Sequence, residues 1–105
     1  MKETQQTISE WGIKTFGYPK SREAIVKRML EECEELKNVT FGKDYAGTYN
    51  TPYIADECAD IYIVMCQVMG VIGEDLHVCV DHKMKINRAR KWEIAGDGTG
   101  QHVKE

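Results

Sequence analysis

The sequence predicts an all-α protein, a four-helix-type bundle completed by homo-oligomerisation. Two observations predict the helices. Apolar residues recur at helical spacing in four segments, and these are separated by short breaks containing Gly, Pro or Asp. No segment carries a convincing strand pattern: VIG and HVCV are too short, and HVCV fits the fourth helix better. A third observation predicts the oligomer. The segment from Tyr53 to Met69 is apolar on more sides than three partner helices from a chain of 105 residues can cover.

The first helix spans Thr4 to Phe16, with Ile8, Trp11 and Thr15 on one side. Gly12 weakens it by about 1 kcal/mol relative to alanine, and Gly17-Tyr18-Pro19 stops it. Ser21 is the next N-cap. The second helix runs from Arg22 to about Thr40, with a stripe of Ile25, Met29, Cys33, Leu36 and Thr40 and Val26 beside it. Phe41 to Thr51 is a loop rich in turn formers, with three aromatics, Phe41, Tyr45 and Tyr49. Thr51-Pro52 opens the third helix as N-cap and first-turn proline, and Gly70 closes it. After a short Val71-Ile72-Gly73 connection, Asp75 caps a fourth helix that reaches Trp92 or Ile94. Residues 95–105 have no periodicity and read as a flexible or wrapping tail. The whole chain, 1–105, reads as one domain.

The balance of charge narrows the function. With 17 acidic and 14 basic residues the net charge is −3, which suits neither a nucleic-acid polymer nor an anionic membrane surface as partner. There is no apolar run long enough to span a membrane, and the polar N-terminus lacks a signal-peptide core, so a cytoplasmic protein is expected. Cys33, Cys58, Cys66 and Cys79 form no C-x-x-C pair and read as small reduced core residues.

Carboxylates stand where apolar residues should. Glu57 falls within the apolar arc of the third helix and Asp60 on its flank, an i,i+3 pair. On the second helix Glu32 lies at the edge of the stripe and Glu35 one step further out, a second i,i+3 pair. Glu31 and Glu34 point toward solvent, as glutamates on helices usually do. Packing the two apolar stripes together gathers Glu32, Glu35, Glu57 and Asp60. Four like charges repel unless a cation neutralises them. All-oxygen ligation at this charge suits Mg²⁺ or Mn²⁺ rather than zinc or copper. On the fourth helix Lys83, Asn87 and Arg90 follow i, i+4, i+7 spacing beyond Leu76 and Val80. That polar end is suited to an anion such as phosphate.

The two acidic motifs, LEECEEL and DECADIYIV, together resemble the MazG-like all-α nucleoside triphosphate pyrophosphohydrolases, relatives of the dimeric dUTPases and dCTPases. The stretch KMKINRARKWEIAGDGTGQH is similar to the K-x-x-x-N-x-x-R-x-W segment and Gly-rich tail of small MazG-like proteins. Where the family usually has E-L-G-D, this chain has Glu57-Cys58-Ala59-Asp60, a change at non-ligand positions only. The resemblance implies hydrolysis of a nucleoside triphosphate between its α and β phosphates, with Mg²⁺ (or Mn²⁺) held by Glu32, Glu35, Glu57 and Asp60. It also implies a homodimer or homotetramer.

On that reading Glu35 and Glu32 are the catalytic carboxylates, with Glu35 positioning and deprotonating the water. Lys83, Asn87 and Arg90 bind the substrate's phosphates, Trp11, Phe16 and the loop tyrosines stack on the base, and His102 reaches a neighbouring subunit's phosphates. A broad or purine-leaning deoxynucleotide preference is expected. Two other readings stay open: a non-catalytic nucleotide- or partner-binding helical module, and a di-iron carboxylate bundle using the E-x-x-H from Glu74 to His77.

Overall fold

The computed structural model describes residues 2–41 and 50–104. The chain is built almost entirely of helices, α1 (Gln5–Phe16), α2 (Arg22–Phe41), α3 (Thr51–Ile72) and α4 (Leu76–Ala89), followed by two short strands, β1 (Trp92–Ile94) and β2 (Gly100–His102). It divides into two compact units, Met1–Asp75 and Leu76–Glu105.

In the first unit α3 packs against both α1 and α2. Thr4 caps α1 with a capping box in which its hydroxyl accepts from the Thr7 N–H and the Thr7 hydroxyl accepts from the Thr4 N–H. Ser21 caps α2 by accepting from the Ala24 N–H at 3.1 Å. The α2 face turned inward is Ile25, Met29, Glu32, Leu36 and Val39. Those residues are spaced alternately four and three apart, the seam expected of closely packed helices. The predicted stripe used Cys33 and Thr40 instead, and both are exposed. Cys58 is exposed as well, and of the four cysteines only Cys66 is buried.

The ends of α3 differ from expectation. Thr51 is its first residue, not its cap; Asn50 precedes it and caps with no side-chain hydrogen bond. Nor does α3 end at Gly70. It continues to Ile72 and stops at Gly73, whose backbone is left-handed (φ 76°). There the Glu74 N–H reaches the Met69 carbonyl and the Gly73 N–H the Gly70 carbonyl, a Schellman ending. Gly70 has a packing reason instead: a Cβ there would collide with the Ser9 side chain of α1. Gly12 of α1 is buried against α3, where a Cβ would come within 2.6 Å of Gln67 Nε2. The pairs Ser9–Gly70 and Gly12–Gln67 fix α1 antiparallel to α3 at close approach.

In the second unit α4 stops at Ala89, short of Trp92, and the expectation of no strands is corrected. Trp92–Ile94 and Gly100–His102 pair antiparallel, with Trp92 opposite His102 and Ile94 opposite Gly100. The turn between them is built by Gly96 and Gly98, both at positive φ (96° and 93°), and by Asp97. The Asp97 carboxylate accepts from the Thr99 N–H and hydroxyl at 3.0 and 2.6 Å, and these bonds hold its pKa below the ordinary value. The segment after Ala95, expected to be loose or wrapping, is therefore the returning arm of a hairpin as far as His102.

Among the described residues, no single helix is long and apolar enough to cross a membrane.

Candidate metal and nucleotide site

The buried seam between α2 and α3 changes character along its length. Toward the C-terminal half of α3 it is apolar, around Val64 and Cys66. At the other end Glu32, Glu35, Glu57 and Asp60 each bring a carboxylate oxygen within 4.8 Å of the others. The i,i+3 spacing on each helix turns both members of a pair the same way, and helix packing joins the pairs. Glu32 is 4% exposed, the one buried charged residue among those described. It sits at the centre of the seam rather than at its edge. Glu57 is half-buried, while Glu35 and Asp60 stay open to solvent.

The electrostatics of this cluster are unbalanced. Arg28, one turn before Glu32, places Nη2 on Glu32 Oε1 and Nη1 at 3.3 Å from Glu31 Oε2. Nothing equivalent reaches the other buried oxygens: Glu32 Oε2 and Glu57 Oε2 meet no hydrogen-bond donor. Burial raises the pKa of Glu32, and the Glu35 carboxyl beside it raises it further, against the lowering pull of Arg28. Burial also raises Glu57, followed by the charges of Glu35 and Asp60. A buried acceptor without a donor is costly, and orphaned oxygens on two helices, converging with two exposed carboxylates, fit a divalent cation. The donors are all hard oxygens, matching Mg²⁺ or Mn²⁺. No histidine belongs to the cluster. His77 of the E-x-x-H is exposed on α4, 3.9 Å from Asp81.

Next to the cluster lies a cleft of about 540 Å³ between α1, the start of α2 and α3. Glu32, Arg28 and Asp60 form part of its lining, and Trp11, Phe16, Tyr18, Ile25 and Val64 make it mainly apolar. Trp11 and Phe16 meet edge to face, with centroids 5.5 Å apart. The cleft thus joins an acidic end, with Arg28 beside it, to an aromatic one. Two of its polar residues had not been singled out by sequence reasoning. Arg28 could have been found as the cation one helical turn before Glu32. Gln67 stands out as the lone amide in the apolar run that follows Asp60.

The remaining predicted residues lie in the second unit or outside the described residues. Lys83 is exposed on α4, and Asn87 is half-buried. Arg90 follows the last residue of α4, but its N–H still bonds the Ile86 carbonyl, which keeps its side chain beside Asn87, Nη1 3.5 Å from Oδ1. Trp92 Nε1 donates to the Asn87 carbonyl at 2.8 Å, and His102 meets the Trp92 ring edge to face at 6.2 Å. Tyr45 and Tyr49 lie outside the described residues.

Two packed helices that offer four converging carboxylates, two of them with orphaned buried oxygens, give an all-α protein with a cluster able to hold a divalent cation. No protein-family profile matches the sequence. Known proteins do. The dATP/dGTP diphosphohydrolase of Salmonella phage PMBT28 is 33% identical over 101 residues, 96% of this chain but 31% of that protein, so the chain spans about a third of its relative's length. The dATP/dGTP diphosphohydrolase of Cyanophage S-2L is 29% identical over 101 residues, 96% of this chain and 86% of that protein. A solved structure of the Cyanophage S-2L MazG-like pyrophosphohydrolase, bound to dGDP and three catalytic Mn²⁺ ions per active site, superposes with a TM-score of 0.71 at 26% identity, covering 96% of this chain and 90% of that one. In fold and in its paired acidic motifs the chain is similar to the MazG-like pyrophosphohydrolases.

Proposed function

We propose that the protein is a divalent-metal-dependent nucleotide pyrophosphohydrolase that cleaves purine deoxynucleoside triphosphates to the monophosphate and pyrophosphate. The observation that carries this reading is the carboxylate cluster, with oxygens from Glu32, Glu35, Glu57 and Asp60 within 4.8 Å of one another and two buried oxygens lacking donors, opening on an apolar cleft. The two phage relatives named for dATP and dGTP and the dGDP-bound neighbour support the choice of nucleotide.

The four carboxylates would hold Mg²⁺ or Mn²⁺, which when bound neutralises phosphate charge and lowers the pKa of water. Glu35, exposed at the outer edge of the cluster, orients the attacking water and takes its proton. The water oxygen bonds to the α-phosphorus as the bond to the bridging oxygen breaks, and that oxygen leaves with pyrophosphate. Glu32 shares in this work as the carboxylate that Arg28 holds in place. Trp11 stacks on the base in the cleft. Lys83 and Arg90 neutralise charge on the departing pyrophosphate and Asn87 hydrogen-bonds phosphate or sugar. The i, i+4, i+7 spacing of Lys83, Asn87 and Arg90 and the match to K-x-x-x-N-x-x-R support those roles. His102, seated against Trp92, contacts phosphates across a subunit boundary.

A homodimer or homotetramer completes the fold on this reading. Leu30 on α2 is 64% exposed and Val78 on α4 also 64%, apolar area that a second copy would cover. The four free cysteines support a cytoplasmic setting. The test is a panel of the eight common nucleoside triphosphates with Mg²⁺ or Mn²⁺, scored for monophosphate and pyrophosphate. Metal-dependent release of both products, fastest with dATP and dGTP, is expected. Release of inorganic phosphate, or turnover unaffected by chelator, would contradict the assignment.

A further inference from the structure

Gln67 holds a place in the cleft that neither the metal cluster nor the aromatic wall explains. It lies seven residues beyond Asp60 on α3, two helical turns along the same face, or about 10.5 Å at 1.5 Å per residue. Asp60, Ile63, Val64, Gln67 and Val71 form the α3 wall of the cleft in that order. The first of these is a carboxylate of the cluster, the next two are apolar, and then comes an amide. That order matches a nucleotide laid along α3 with its phosphates at Asp60 and its base at Gln67.

The amide is held but not used. Gly12 of α1 leaves room for it, since a Cβ at Gly12 would come within 2.6 Å of Nε2, 3.1 Å of the amide carbon and 3.2 Å of Cγ. The surroundings, Ile13, Ile25 and Trp11 among them, are largely apolar. Among the described residues none hydrogen-bonds the Gln67 side chain. A half-buried amide with its donor and acceptor both unused beside an apolar slot is a group awaiting a ligand with a complementary edge.

We propose that Gln67 is the base-reading residue of this site and that it recognises the Watson–Crick edge of a purine, accepting adenine and guanine alike by rotating its amide. This inference rests on the nucleotide reading above. Adenine offers an N6–H donor beside the N1 acceptor, which the amide meets with Oε1 and Nε2 respectively. Guanine offers the O6 acceptor beside the N1–H donor, which the same amide meets after a half-turn about its last bond. Pyrimidines carry similar edges but are shorter by one ring, so with the phosphates fixed two turns away their edges fall short of Gln67.

The test is the isosteric substitution Gln67→Glu in the full chain, with kcat/KM for dGTP and dATP measured at saturating Mg²⁺. A carboxylate only accepts. It takes both N1–H and N2–H from guanine but meets the bare N1 of adenine with a like partial charge. The dGTP-over-dATP ratio should rise about tenfold or more, the discrimination expected of one bidentate pair. Gly12→Ala, which pushes the amide out of its seat while favouring the α1 helix, should slow both purines and narrow their lead over dCTP and dTTP. A packing role alone would leave the purine ratio untouched. A ratio that stays within threefold, or moves toward adenine, overturns the proposal. Should the wild-type chain release no pyrophosphate at all, the functional reading fails instead. The proposal is then decided by calorimetric binding of dGMP and dAMP to wild type and Gln67→Glu, with the same tenfold criterion.

Discussion

The two faces of α3 in the first unit are packed in opposite ways. Toward α1 the helices approach until only glycine fits, Gly12 against Gln67 and Gly70 against Ser9. Toward α2 the seam carries the buried Glu32 and half-buried Glu57, each with an oxygen that meets no donor. The first contact is a close steric fit made by the chain itself and contributes stability. The second is satisfied only when something positive is added, and in the metal-free chain it costs stability. The difference separates what α3 does for folding from what it does for chemistry, on one helix within a few turns.

The largest effect should come from breaking the acidic face. Glu57→Gln keeps the shape and removes one charge, and it is expected to lower pyrophosphate release more than 100-fold, the scale of losing a directly acting group. The same substitution should raise the melting temperature of the metal-free protein, because it relieves repulsion in the cluster. A mutant that keeps full turnover would remove Glu57 from the site.

Breaking the glycine face should do the reverse. Gly70→Ala forces α1 and α3 apart against Ser9, whose Cβ lies 2.9 Å from the new atom, and is expected to cost about 1–3 kcal/mol. Chemical denaturation would show a lower midpoint in the mutant with or without Mg²⁺. Equal midpoints would mean that the close approach contributes nothing.

A third effect is the pH dependence of the metal-free protein. Burial raises both Glu32 and Glu57, so the folded state binds these protons more tightly than the unfolded chain does. Their favourable contribution is complete below the ordinary glutamate value, about 4.3, and is lost as pH rises through the raised folded values. Calorimetry should find the advantage of Glu57→Gln over wild type larger at pH 7.5 than at pH 5. An advantage independent of pH would argue that the carboxylate is not strained by its surroundings.

The smallest effect concerns the thiols. Cys33 and Cys58 are exposed beside the acidic motifs, whereas Cys66 is buried and burial pushes its thiol pKa up. In the native protein a maleimide should label Cys33 and Cys58 well before Cys66. Labelling of Cys66 at the same rate would mean that the core around Val64 opens readily.

The acidic face was legible in the sequence because ionisable residues at i,i+3 spacing inside apolar helices conflict with burial, and the conflict itself points to a ligand. Even so, the depth of Glu32 was underestimated. Reading Cys33 into the α2 stripe shifted the inward direction by one residue, although Ile25, Met29, Glu32, Leu36 and Val39 follow the tighter seam. The glycine face was not legible at all. What makes Gly12 and Gly70 necessary is the side chain opposite, and a helix's partner is not written in its own periodicity. The hairpin was hidden for another reason. The helical pattern of α4 runs on into Trp92 and Ile94, and strands of three residues carry no period, so only Gly96-Asp97-Gly98 announced the turn.

The central claim is that the α2–α3 carboxylates form a divalent-metal site. It is tested most directly by thermal melts of wild type and Glu57→Gln across a Mn²⁺ titration. Ligation by the cluster predicts that the wild-type melting temperature climbs with Mn²⁺, by about 2.7 kcal/mol of stability at one hundred times the dissociation constant, while Glu57→Gln stays nearly flat. A wild-type melting temperature indifferent to Mn²⁺, or an equal rise in both proteins, would contradict it.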